Sequence, residues 1–181
     1  MSSWKKKIPQ IKKAAAKCES AWVEALDSCA KVDPPVGCMT PCVLAALMET
    51  LKTNTTVTHL DLGGNGLTDT AAVAVAEMLV SNRSITVLRL YENNITDVGG
   101  LALVEAVKKN SAIRSLEIQG NHISEACASR FVDVIRSGTS ITHLDLQDNE
   151  VSVKVLKKLD QVLRQGPPAA LPAKRARNRS S

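Results

Sequence analysis

The chain has 181 residues, 44% of them hydrophobic, and a formal net charge of +5, enough for one sizeable core with tails but short for two full domains. No apolar run approaches the roughly eighteen residues of a membrane span, and the lysines of "MSSWKKKIPQIKK" precede no apolar h-region, so neither a spanning helix nor a secretory signal is expected. The charge is uneven: residues 1–31 hold seven Lys against three acids, residues 32–165 twelve Lys/Arg against fifteen acids, and residues 166–181 four basic residues and no acid. A cytoplasmic protein is expected, with cytoskeletal or nuclear placement open, and its five cysteines (Cys18, Cys29, Cys38, Cys42, Cys127) are expected as reduced thiols.

Three segments succeed one another along the chain: a basic N-terminal segment over 1–31, a body over 32–165 and a basic tail over 166–181. In the first, Ile8, Ile11, Ala15, Cys18, Trp22, Ala25 and Cys29 recur at steps of three and four, which predicts an amphipathic helix starting near Pro9. Its apolar stripe suits a cap on the open end of a core; a helix for a partner or a membrane surface is the other reading. "VDPPVG" from Val32 has prolines where ladder donors should be and fits only a sheet edge. After it, Thr40 and Pro41 predict a helix start.

From Leu60 the chain repeats. "LDLGGNGLTD", "LRLYENNITD", "LEIQGNHISE" and "LDLQDNEVSV" begin at Leu60, Leu88, Leu116 and Leu144, each 28 residues after the last. The L-x-L alternation places both apolar side chains on one face of a short strand. Later pairs such as Val75/Leu79 and Leu103/Val107 have helical spacing. Thr68, Thr96, Ser124 and Ser152 occupy the N-cap frame, succeeded by Asp69, Asp97 and Glu125, acids suited to the positive end of the helix dipole. Asn65, Asn93, Asn121 and Asn149 fall where the strand must bend inward, and their amides are expected to form a buried ladder satisfying backbone groups in the turns.

One strand-helix unit cannot cover its own apolar face, so the units must stack. The expected fold is an α/β solenoid of about 4.5 repeats, four full and one degraded, with a parallel sheet on the concave side, helices on the convex side and an N-terminal helical cap. The 28-residue unit over residues 39 to about 165 resembles leucine-rich repeats of the ribonuclease-inhibitor-like class. Within that class "AVAVAEMLVSNRSITVLRLYENNIT" and "LALVEAVKKNSAI" look most like the C-terminal domain of tropomodulins, which cap the slow-growing end of actin filaments. The resemblance implies a cytoskeletal setting and filament or large-complex subunits as partners. The 31 residues before the repeats do not carry the long tropomyosin-binding region of that family.

Strand residues turned away from the core form three rows: His59, Val87, Ser115 and His143; Asp61, Arg89, Glu117 and Asp145; Gly63, Tyr91, Gln119 and Gln147, with Glu92 and Asp148 alongside. This face is polar with an acid surplus, suited to a basic or mixed protein partner more than to phosphate backbones. The plain alternative is a merely solvated sheet. Tyr91, the single tyrosine, is the expected anchor, standing with room around it beside Arg89 and Glu92. The protein-binding candidates are therefore His59, Asp61, Arg89, Tyr91, Glu92, Glu117, Gln119, His143, Asp145 and Gln147. In the tail "GPPAALPAKRARNRSS", Lys174, Arg175, Arg177 and Arg179 suit an import signal, a nucleic-acid contact, an acidic protein surface or simple solubility.

No nucleophile with its base, carboxylate pair or phosphate loop accompanies the histidines, and the C-x3-C of Cys38 and Cys42 has no second pair at zinc spacing. No catalytic residue, metal or cofactor is assigned. The expected function is a non-enzymatic protein-interaction or scaffold module; the alternative is a nucleic-acid-associated protein binding through its basic termini.

Overall fold

The computed structural model describes residues 30–33 and 39–166. The stripe over residues 8–29, Cys38 and the tail from residue 167 lie outside that range. Among the described residues five strands and five helices alternate: β1 (Lys31–Val32), α1 (Pro41–Thr53), β2 (His59–Asp61), α2 (Asp69–Ser81), β3 (Val87–Arg89), α3 (Asp97–Lys109), β4 (Ser115–Glu117), α4 (Glu125–Arg136), β5 (His143–Asp145) and α5 (Val153–Gln165). The strands form one parallel sheet in chain order. Leu60 pairs with Leu88, Leu88 with Leu116 and Leu116 with Leu144, so the register step equals the sequence repeat. Lys31, the last residue of the expected N-terminal segment, already pairs with His59.

The L-x-L side chains enter a single core with the helices, and from Leu60 to Leu146 none is more than 6% exposed. Burying each such residue contributes about 1.5–3 kcal/mol. The close approach of α2 and α3 depends on a missing side chain, since a Cβ on Gly99 would lie 2.7 Å from the Ala72 methyl and 2.8 Å from Asp69 Oδ1.

Three sets of polar contacts stitch the units together. The turn asparagines form the expected ladder: Asn93 Oδ1 accepts from Leu67 N at 2.9 Å and Asn65 N at 3.1 Å, while its Nδ2 donates to Leu62 O, Leu90 O and Tyr91 O. Asn121 and Asn149 repeat the pattern toward Ile95 N and Ile123 N. A second ladder runs along the helix C-caps, through Asn54, Asn82 and Asn110, all buried. Asn82 Nδ2 donates to Leu51 O and Asn54 O, Asn110 Nδ2 to Leu79 O and Asn82 O, and the Oδ1 of each of these two accepts the amide of the residue three places on.

The third set adds to the dipole reading of the helix acids, which do stand in the first turns. Asp69 reaches forward to the next unit's cap, accepting from Thr96 N (2.8 Å), Thr96 Oγ1 (2.7 Å) and Gly99 N (3.0 Å). Asp97 does the same for Ser124 N and Oγ. These acids join neighbouring helices as well as meeting their own helix dipoles. Of the four predicted hydroxyl caps in the repeats, Thr96 and Ser124 cap with their side chains; Thr68 and Ser152 hold the position without a side-chain bond.

Cys42, expected as a free thiol, is disulfide-bonded, its partner lying outside the described residues. Spacing along the chain does not reveal which sulfurs meet in space. Cys127 is a buried free thiol, its pKa pushed up to about 12 by burial and then by Asp97.

Candidate functional site

The 28-residue register brings the predicted rows together across the inner sheet face. His59, Val87, Ser115 and His143 are consecutive partners, as are Asp61, Arg89, Glu117 and Asp145. In the second row the guanidinium of Arg89 sits between two carboxylates: its Nε donates to Glu117 Oε2 at 2.9 Å and its Nη1 lies 3.5 Å from Asp61 Oδ2. Hydrogen bonding to Glu117 raises the Arg89 pKa against the opposing effect of burial. The alternation of charge ends there. Asp145, the next residue in the row, has no cation among the described ion pairs, and its Oδ1 accepts from Gln147 N at 2.9 Å.

Tyr91 does not stand with room around it. Its ring lies over Gly63 so closely that a methyl group at Gly63 would fall within it, leaving the side chain half-buried. Glycine at 63 is what lets the aromatic lie flat on the sheet, because any Cβ there would lift it. Burial, then the charges of Asp61 and Asp33, raise the phenol pKa. The anchor is thus a ring already seated on the protein and only partly open to a partner. In the first row, burial, then Lys31 and Arg89, lower the His59 pKa, and His59 Nδ1 lies 2.8 Å from Thr58 Oγ1.

Glu92 carries a signal that the sequence did not disclose. Positions 64, 92, 120 and 148 are equivalent turn sites, and all four have positive φ: Gly64 at 65°, Glu92 at 50°, Gly120 at 66° and Asp148 at 53°. Two units use glycine, which adopts this conformation freely, and two hold an exposed acid there at a cost of about 1 kcal/mol or more. The Glu92 side chain crosses toward the next unit, its Cγ 3.3 Å from where a Cβ on Gly120 would stand. Acids kept in a strained backbone at the rim of an open face are a reason to look for function there.

His143 and Gln147 are exposed at the end of their rows, and Gln119 is half-buried with its Oε1 enclosed and without a hydrogen-bond partner. Lys174, Arg175, Arg177 and Arg179 lie outside the described residues. No group of three or more His, Cys, Asp and Glu among the described residues is placed to hold a metal ion, and no helix among them is long and apolar enough to cross a membrane.

A parallel sheet lined by L-x-L strands, backed by helices and stitched by turn asparagines defines a leucine-rich repeat fold. A leucine-rich repeat family model matches residues 53–76, 81–104 and 139–159. The stretch between the last two matches is occupied in the structure by β4 and α4 in full register. The fold resembles that of the tropomodulin C-terminal domain: a Caenorhabditis elegans tropomodulin C-terminal domain superposes with a TM-score of 0.69 at 11% identity, covering 87% of this chain and 92% of that one. Actin-binding site 2 of leiomodin-1 gives a TM-score of 0.68 at 22% identity, covering 86% and 87%. At such identities the likeness establishes the fold. No curated protein matches the chain by sequence.

Proposed function

We propose that this protein is a non-catalytic interaction module that captures a protein partner on its concave sheet, and that the partner is a subunit of the actin cytoskeleton. The observation that carries this reading is the built surface in the middle of the sheet: Tyr91 laid over Gly63 beside the Asp61–Arg89–Glu117 ion row. A preorganised aromatic amid paired charges offers contact area at little entropic cost, the arrangement that anchors interfaces. The actin class is suggested by the fold's likeness to the actin-binding site of leiomodin-1. The acid surplus of the face opposes a phosphate backbone there.

The test is binding of monomeric and filamentous actin by the full chain and by Tyr91→Ala, with Glu125→Gln on the convex side as control. Loss of roughly tenfold or more in affinity by a folded Tyr91→Ala protein is expected, on the scale of a moderate hot spot. Unchanged actin binding by that variant would move the interface away from the concave face. No actin binding by the wild type would remove actin as the partner.

A further inference from the structure

The solenoid ends on an unfinished edge. In each inner unit two amides of one strand region donate forward to the next: Leu90 N to Glu117 O and Glu92 N to Gln119 O, then Ile118 N to Asp145 O and Gly120 N to Gln147 O. The equivalents in the last unit, Leu146 N and Asp148 N, have no following strand among the described residues. Beside them a groove of about 340 Å³ opens between β5 and α5, its floor made by Leu144, Leu146, Leu156, Leu159 and Leu163 and its concave rim by Asp145. Asp160 also lines it but is engaged by Arg164 at 2.9 Å. Beyond the rim, Glu117, the register partner of Asp145, is already engaged by Arg89 at 2.9 Å, and the exposed Asp148 stands two residues after Leu146.

The chain leaves α5 at this groove, since Leu163 in the helix's last turn and His143 at the start of β5 both line it. Beyond Gly166 the chain reads "PPAALPAKRARNRSS", apolar first and basic afterwards. That is the order in which the surface changes, from leucine floor to acidic rim. It cannot be another repeat: 28 residues after Leu144 and Leu146 stand Pro172 and Lys174, and proline at a core strand position neither pairs nor fills the core. Reach is ample. The eight steps from Gly166 to Lys174 span up to about 26 Å when extended, against roughly 4.8 Å between neighbouring strands.

We infer that the protein's own residues 169–179 dock on this end of the solenoid, Leu171 covering the leucine groove and the cluster from Lys174 to Arg179 meeting Asp145 and Asp148. The strap then covers the last rows of the concave face and competes with any partner that reaches them. The competition rests on the face assigned above; the docking does not, and is read without a partner.

The experiment is tryptic cleavage after Lys174, Arg175 and Arg177 in the full chain, timed by mass spectrometry beside a synthetic peptide of residues 166–181. Cleavage tracks the undocked population, so at about 20 mM salt the chain should be cut on the order of tenfold more slowly than the peptide. Leu171→Asp, and separately Asp145→Asn with Asp148→Asn, should bring the rate close to the peptide's, whereas Glu125→Gln with Asp133→Asn on the convex α4 should not. Raising salt to about 500 mM should remove most of the protection. Equal rates for chain and peptide, or protection indifferent to both Leu171→Asp and the acid pair, would overturn the docking. If docking is found but Leu171→Asp leaves partner affinity unchanged, the competition is refuted and the strap is only a cap.

Discussion

The middle units and the last unit are built from the same motif and held together differently. Around β3 and β4 three lateral devices are complete: the turn asparagines Asn93 and Asn121 are buried, the cap asparagines Asn82 and Asn110 are buried, and Asp69 and Asp97 clasp the caps ahead of them. In the last unit the turn asparagine keeps its bonds but is more exposed, and the other two devices lapse. Asn149 is half-buried, the place of the next cap asparagine is taken by Gly138 at φ 99°, and Glu125 makes no clasp to Ser152. Ser140 Oγ, at 3.1 Å from Asn110 O, fills part of the gap, while Thr139 Oγ1 is left enclosed without a partner. A solenoid is as strong as its nearest-neighbour interfaces, so the C-terminal unit should be the first to open.

The turn ladder offers the largest expected difference. Asn93→Ala removes five bonds from a buried site and strands Leu67 N, for a loss of about 3 kcal/mol, whereas Asn149→Ala at the partly open end should lose about 1 kcal/mol. Chemical denaturation of both variants checks this, and equal losses would mean that the ladder does not weaken toward the end.

A smaller contrast is expected between the two clasps. Asp69→Ala leaves Thr96 N and Gly99 N without their acceptor and should lose about 1–2 kcal/mol, while Glu125→Ala, exposed and unclasped, should change stability by less than about 0.5 kcal/mol. The bonds from Thr96 and Gly99 outweigh burial and lower the Asp69 pKa from its ordinary 3.8. A depressed acid contributes stability above its unfolded value and loses it as pH falls through the folded one. The gap between wild type and Asp69→Ala should therefore be full at neutral pH and close below pH 3.8; melting curves at several pH values read it directly.

Glu92→Gly should raise stability by about 1 kcal/mol by relieving a left-handed backbone, and at the same time weaken partner capture if the rim acid contacts the partner. Asp148→Gly at the end of the row should show the same gain. A loss of stability in either would mean that the acid side chain contributes more than the strained turn costs.

The smallest effect is expected at the ion row. Arg89 is 40% exposed, so solvent screens its pairs, and Arg89→Gln should lower stability by only about 0.5 kcal/mol, a difference that high salt erases. A loss several times larger would identify the row as part of the scaffold.

Much of this architecture was legible in the sequence, because a strict 28-residue period carries its own register. Once Leu60, Leu88, Leu116 and Leu144 are aligned, strand order, core face, concave rows and the turn ladder result from the two-residue alternation of a strand and the need to cover each unit's apolar side. The edge strand at Val32, with prolines after it, was readable for the same reason. The cap asparagines were equally periodic, at 54, 82 and 110, but Asn ends helices for many reasons, and only the packing shows Asn82 and Asn110 reaching back 28 and 31 residues. Contacts decided by direction in space had no periodic trace: whether Asp69 turns to its own helix or to Thr96, whether Tyr91 stands free or lies on Gly63, which turn site holds an acid at positive φ, and that Cys42 finds another sulfur. Periodicity specifies which residues share a row; the distance between rows, set by side-chain volume and backbone approach, decides which of them touch.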